Sequence, residues 1–177
     1  MYVLGIWDGH DAGAALVDGD RIVYAANEER FTKRKLELRF PYNSIMAALE
    51  YEHLQPADIE HVAFSTMEFA KTLERLFPQM KESYYSMRRR KTLRPRLEDA
   101  RHKLKYSLTS IGVLPSNTFI SKNVVAGHLR GMGFGNFKLH VVDHHTAHAA
   151  TAAFTAPFDR QLVVTMDGLG DGLAGSV

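Results

Sequence analysis

The chain has 177 residues, 45% of them apolar and 24% charged, with a formal net charge of +2. That is enough apolar content for one ordinary core, and a charge too near neutral for a surface that seeks nucleic acid. With no cysteine present, disulfides and thiolate ligands are excluded, and any metal must be held by His, Asp or Glu.

The first residues lack the basic and long apolar stretches of a secretory leader, and no apolar run approaches the roughly 20 residues that span a bilayer. A cytoplasmic protein with no membrane partner is the expectation. Residues 2–7 form a β-favouring apolar run that ends at Asp8-Gly9. Residues 14–17 and 21–26 form two more, joined by the tight turn Asp18-Gly19-Asp20. An Asp-Gly turn between apolar runs is a hairpin signal, so these segments read as an antiparallel three-strand meander. Residues 43–53 carry helical periodicity after Pro41, with Asn43 or Ser44 as the expected cap. Residues 59–65 read as a strand. Residues 67–108 are polar, basic and mostly helical, interrupted by Pro78 and Pro95, and are expected to form an insertion of about 67–110. Residues 122–132 read as a helix, 138–142 as a strand, 145–154 as an alanine-rich helix and 162–166 as a buried strand. Residues 173–177 look like the opening of a further strand. The expectation is therefore the N-terminal part of a longer protein, with a first lobe over 1–158 and the start of a second over 159–177.

An internal echo supports two lobes. Val3-Leu4-Gly5-Ile6-Trp7 with Asp8-Gly9-His10-Asp11-Ala12-Gly13 resembles Val163-Val164-Thr165-Met166 with Asp167-Gly168-Leu169-Gly170-Asp171-Gly172. Each is a strand, an Asp-Gly loop with a further acidic residue, and the start of another strand. Repetition of a whole unit suggests pseudo-equivalent halves, although Asp-Gly turns also recur freely.

The densest chemistry lies between Asp143 and Gly172. His144 and His148 are four apart, so on a helix both rings share a face and can share a metal, while His145 points about 100° away. Asp167 follows one helix and one strand later, where a strand end can present its carboxylate. Two imidazoles and one carboxylate leave positions open for substrate and water, a set that fits Fe(II), Zn(II) or Mn(II). The bland alternative is a pair of capping histidines. The glycines at 168, 170 and 172 expose amides to an anion, while Asp167 and Asp171 can hold a cation bound to it. In the first loop, His10 between Asp8 and Asp11 can act as acid, base or donor, or simply be a turn histidine. In the run Glu28-Glu29-Arg30-Phe31-Thr32-Lys33-Arg34-Lys35, Arg30, Arg34 or Lys35 can reach a phosphate, with a solvated loop as the plainer reading. The basic stretch from Arg88 to Lys105 is read as a solvated helical face rather than a nucleic-acid contact.

Four motifs together carry a resemblance: Gly5-Ile6-Trp7-Asp8-Gly9-His10-Asp11-Ala12-Gly13, Glu28-Glu29-Arg30-Phe31-Thr32, His144-His145-Thr146-Ala147-His148, and Met166-Asp167-Gly168-Leu169-Gly170-Asp171-Gly172. In this order they resemble the N-terminal portion of the O-carbamoyltransferases. The resemblance implies a ribonuclease H-like, actin-like ATPase lobe akin to the tRNA threonylcarbamoyl transferases. Its mixed sheet would have antiparallel first three strands flanked by helices. It implies a C-terminal domain, absent here, that makes carbamoyl-adenylate from carbamoyl phosphate and ATP, and transfer of the carbamoyl group to the hydroxyl of a small-molecule acceptor. It further implies His144, His148 and Asp167 as metal ligands, iron first among the candidates. His10 would stand near the carbamoyl group and Lys35 near the substrate. Asp8, Gly9 and Asp11 would line the nucleotide and carbamoyl site, with Gly168, Gly170 and Asp171 facing phosphates. Gly13 departs from the pattern, standing where the family usually has serine. The 177 residues alone would not turn over. Two other readings are an actin-like phosphotransferase using Asp8 and Asp167 on magnesium, and a nucleic-acid-binding module working through residues 88–105.

Overall fold

A five-stranded sheet organises the chain. Its strands are β1 (Tyr2–Trp7), β2 (Gly13–Asp18), β3 (Arg21–Asn27), β4 (His61–Ser65) and β5 (Lys138–Val142), in the order β3-β2-β1-β4-β5. The computed structural model describes residues 1–91, 103, 107–108 and 111–177. The first three strands are antiparallel neighbours, as the turn chemistry predicts, with Gly19 at φ +60° in the β2–β3 turn. β4 joins β1 in parallel and β5 joins β4 in parallel. The carboxyl ends of β1, β4 and β5 therefore lie side by side at one edge of the fold, where open α/β sheets bind ligands.

Alternation along the strands sends Leu4, Ile6, Leu16, Val62 and Phe64 into one buried face. Helix α2 (Tyr42–Tyr51) covers it with Ile45, Ala48 and Leu49, and Val125 and Leu129 of a later helix complete the layer. Between them stands α1 (Glu29–Thr32), and a 3₁₀ turn (Pro56–Asp58) leads into β4. After β4 come α3 (Phe69–Leu76), α4 (Gln79–Arg90) and α5 (Pro115–Gly131), the helix that supplies Val125 and Leu129. Helix α6 (His144–Thr155) follows β5, and a separate antiparallel pair, β6 (Thr165–Gly170) and β7 (Leu173–Ser176), closes the described chain.

Several expectations need correction. Neither Asn43 nor Ser44 caps α2. Pro41 holds the cap position, and the fully buried carboxylate of Glu28 accepts from the backbone amides of Asn43 and Ser44, from Asn43 Nδ2 and from Ser44 Oγ. A charged acceptor from the preceding loop thus satisfies the orphan amides of the helix start. The run from Glu28 is only in part a solvated loop: its first residue is buried and residues 29–32 form a short helix, while Arg30, Lys33 and Lys35 are exposed. Residues 69–76 are helical, as expected, but their charged side chains are not all at the surface. Lys71 and Arg75 of α3 are buried, because a carboxylate waits for them inside. The strand expected over 162–166 begins only at Thr165 and runs on through the Asp-Gly loop. It is not buried, since Leu162, Val164 and Met166 are 79%, 56% and 88% exposed. Among the described residues the β6–β7 pair has no third strand beside it, and α6 meets it at Thr165, Gly170 and Leu173.

The helix expected over 122–132 starts earlier, at Pro115, whose missing N–H costs nothing at a first helical position. Much of the basic stretch between Arg88 and Lys105 lies outside the described residues. Among those described, no helix is long and apolar enough to cross a membrane.

Candidate metal centre

Helix α6 begins where β5 ends. Asp143 caps it, accepting from the Thr146 amide at 2.9 Å, which fixes His144 as the first helical residue and brings His148 one turn above it. Across from them, Asp167 of β6 turns its carboxylate inward. His144 Nε2 lies 2.7 Å from Asp167 Oδ2, His148 Nε2 lies 3.1 Å from His144 Nε2, and His148 Nε2 lies 3.7 Å from Asp167 Oδ2. Donors that share an ion at about 2.0–2.2 Å stand about 3–4 Å apart, so two of the three separations already suit one cation, and the 2.7 Å hydrogen bond between His144 and Asp167 would open slightly to admit it. These three residues form the one such group among the described residues. Asp167 and His148 are partly exposed, which leaves room for further ligands. Partial burial works to raise the Asp167 pKa, but the His144 hydrogen bond, the Gly168 amide and the two imidazoles lower it below the ordinary carboxylate value.

The other ring nitrogen of His144, Nδ1, lies 2.8 Å from Thr66 Oγ1 at the end of β4. Beside it, Asp171 ties three segments together. Its Oδ1 accepts from the Met67 and Glu68 amides at 2.7 and 3.0 Å, its Oδ2 accepts from the His144 amide at 3.0 Å, and its own amide donates to Glu68 Oε2 at 2.9 Å. The predicted phosphate-facing residue thus has both carboxylate oxygens committed to the scaffold. Asp171 adopts φ +50°, and Asp11 of the first loop φ +56°, a detail the two echoing loops share.

The first loop sits next to this centre through Trp7, whose ring meets His144 edge-on at 6.0 Å and His10 at 6.2 Å. Trp7 Nε1 donates to the His10 carbonyl at 2.7 Å, and the His10 ring stacks on Tyr85 at 6.0 Å. Gly9 packs under Trp7, where a Cβ would come within 2.8 Å of the indole. Asp8 faces inward instead of toward the metal-type set. Lys71 Nζ lies 3.0 Å from its Oδ1, and Arg75 reaches its Oδ2 and Oδ1 at 2.8 and 3.1 Å. Burial works to raise the Asp8 pKa, yet the two cations hold it well below the usual carboxylate range. Asp8, Lys71 and Arg75 also line a cavity of about 380 Å³ with Arg39, Tyr42 and His128. Lys35 is exposed and outside that lining, whereas its neighbour Arg34 belongs to it and pairs with Glu82.

The structure therefore brings His144, His148 and Asp167 together, with Gly170 beneath the His144 ring. His10 stands one indole away, and Gly168 lies in open space. Sequence reasoning missed Trp7, Thr66, Glu68, Lys71 and Arg75. For Lys71 and Arg75 a signal existed: two cations at i and i+4 beside Ala70 and Thr72, on a helix that directly follows a core strand.

These features define an α/β chain that gathers a metal-type donor set where its parallel strands end. It belongs to the carbamoyltransferase family: the model described as Carbamoyltransferase N-terminus matches residues 2–176. An uncharacterized protein of Synechocystis is 30% identical over 166 residues, which cover 92% of this chain and 24% of that protein. Nodulation protein NolNO of Sinorhizobium fredii is 29% identical over 168 residues, covering 94% of this chain and 20% of that one. An uncharacterized protein of Methanocaldococcus jannaschii is 39% identical over 61 residues, or 34% and 12% of the two chains. The chain thus spans about a quarter or less of the length of these relatives.

Proposed function

We propose that this chain is the acceptor-side part of an ATP-dependent O-carbamoyltransferase. In that reaction an acceptor hydroxyl attacks the carbamoyl carbon of carbamoyl-adenylate. The bond from that carbon to the phosphate oxygen breaks, AMP leaves with the oxygen, and the hydroxyl proton passes to a base. The observation that carries the reading is the convergence of His144, His148 and Asp167 in a member of this family. The sheet supports an actin-like lobe over 1–158, with its antiparallel first three strands and parallel fourth and fifth. The detached β6–β7 pair supports the start of a second lobe over 159–177.

In this reading His144, His148 and Asp167 hold a divalent ion, iron before zinc or manganese. The chemistry such an ion supplies when bound is Lewis-acid stabilisation of charge developing on a carbonyl oxygen. His10, one indole from His144, is the candidate to hold or donate a proton at the carbamoyl group. Trp7 excludes water between the two histidines. Lys35, exposed and outside the cavity lining, remains a candidate for substrate contact by the family resemblance alone. The Asp167–Gly172 loop faces the adenylate phosphate in this reading, although the Gly168 amide already donates to the Asp167 carboxylate. The cavity bounded by Tyr42, His128 and the Asp8 ion pairs receives the acceptor, and its volume suits a small molecule. In this reading carbamoyl-adenylate is made by an adenylate-forming domain.

The test is metal analysis of the anaerobically purified chain and of His148→Ala. One iron or zinc per chain, lost in the variant, is the expected result. Retention of the metal in His148→Ala would overturn the assignment, and magnesium alone would favour a phosphotransferase using Asp8 and Asp167.

A further inference from the structure

The turn that ends β4 is strained and heavily braced. Thr66 is a β-branched residue at φ +68°, in the left-handed region that favours glycine. Such a conformation costs about 1–3 kcal/mol and persists only where surroundings over-determine it. Here they do. Arg75 Nη1 donates to the Thr66 carbonyl at 2.7 Å and Nη2 to the Ser65 carbonyl at 2.9 Å. The next two amides, Met67 and Glu68, both donate to Asp171. Thr66 itself is 4% exposed. The braced turn aims one functional atom outward, Oγ1, and that atom meets His144 Nδ1 at 2.8 Å.

We infer that Thr66 is a positioning residue for the metal centre, holding the His144 ring and setting which of its nitrogens carries the proton. The inference rests on the metal reading above. With Nε2 committed to a cation, Nδ1 must carry hydrogen and needs an acceptor. The threonine hydroxyl supplies one. Without the cation, the same hydroxyl can rotate and donate to Nδ1 while Nε2–H faces Asp167 Oδ2. A hydroxyl serves both states by rotating in place, whereas a backbone N–H could only donate and an ionised carboxylate could only accept. Asp171 fixes the backbone end of the same residue through the His144 amide, so His144 is held at two points by one scaffold. Sequence gave no warning of this, because a lone threonine after a strand has no distinctive spacing.

The experiment measures cobalt(II) binding to the chain by calorimetry and by the cobalt absorption spectrum, with no turnover involved. Thr66→Val keeps the shape and removes the hydroxyl. Its dissociation constant should rise about 10–100-fold, with an altered cobalt spectrum. Thr66→Ser, which restores the hydroxyl, should bind as the parent does. If Thr66→Val does not fold, Thr66→Gly carries the same test, since glycine is at home at this φ. Parent-like binding and an unchanged spectrum in the hydroxyl-free variant would overturn the inference alone, provided His148→Ala abolishes binding. If the parent chain binds no cobalt, or His148→Ala binds it unchanged, the metal reading falls and this inference with it.

Discussion

Gly170 lies directly beneath the imidazole of His144, so close that a Cβ built on it would stand 2.6 Å from Nε2. The glycine of this loop therefore has a steric reason to exist that is independent of any phosphate. Gly168, two residues earlier, has nothing within 4 Å of its would-be Cβ. Gly170→Ala should push the ring off its line to Asp167 and weaken metal binding about 10–100-fold, as disturbed ligand orientation does. Gly168→Ala should leave it unchanged. Titration of both variants with cobalt(II) checks this, and equal affinities would show that the ring has room to give.

The buried ion pairs of Asp8 predict a large and pH-dependent effect. Asp8→Asn leaves Lys71 and Arg75 facing each other without a carboxylate, and breaking such a pair costs about 3–5 kcal/mol. The native pKa of Asp8 lies below its unfolded value of about 3.9. A depressed carboxyl stabilises the fold above the unfolded value and loses that contribution as pH falls toward the native one. The stability gap between the parent and Asp8→Asn should therefore be widest at neutral pH and should close below about pH 4. Urea unfolding across that range measures it.

Much of the fold was legible in the sequence because the strands advertise themselves. The meander over 2–26 follows from apolar runs and an Asp-Gly turn, and 138–142 from a short β-branched stretch. Local pattern failed where a tertiary partner decided the outcome. Glu28 reads as the start of a charge run, and nothing in its neighbours says that Asn43 and Ser44 will arrive with four donors. For Lys71 and Arg75 the i, i+4 spacing is a local hint, but the carboxylate that buries them is more than 60 residues away in the chain. The candidate site shows a parallel split. The spacing of His144 and His148 carried its meaning in local geometry, and Asp167 lay within one strand of them. Thr66 and Trp7 belong to other strands and are joined to them only by the parallel order of the sheet.

Glu28 offers a test of that long-range capping. Glu28→Gln keeps the size but replaces one acceptor oxygen by an NH₂ that faces donors. The expected loss is about 3 kcal/mol, in the range for a charged hydrogen bond or an unsatisfied buried group. For a chain of this size that corresponds to a melting point roughly 6–12 °C lower. Cobalt affinity should not change, because the Glu28 carboxylate bonds to Asn43 and Ser44 at the start of α2 and to none of His144, His148 and Asp167. Thermal unfolding followed by circular dichroism measures the first effect, and an unshifted melting point would mean that water or another group already caps the helix.

His145 makes the last case, because it stands between two candidate ligands and serves neither. It is 1% exposed, with Nδ1 2.7 Å from Thr165 Oγ1 and Nε2 2.9 Å from the Leu173 carbonyl. The carbonyl can only accept, so Nε2 carries the hydrogen and Nδ1 accepts from the threonine. Thr165 Oγ1 in turn accepts from the Ser176 amide at 3.1 Å and lies 2.8 Å from Ser176 Oγ. One ring thus latches α6 to both strands of the β6–β7 pair, the pair that presents Asp167. His145→Ala strands buried partners at a cost of about 1–3 kcal/mol. That cost should appear locally, as faster amide hydrogen exchange over Thr165–Gly170 and Leu173–Ser176 with β1 to β5 unaffected. Metal affinity should fall with it, since Asp167 loses its fixed distance from His144. Unaltered exchange in the pair would show that other contacts hold it, and would place the control of Asp167 elsewhere.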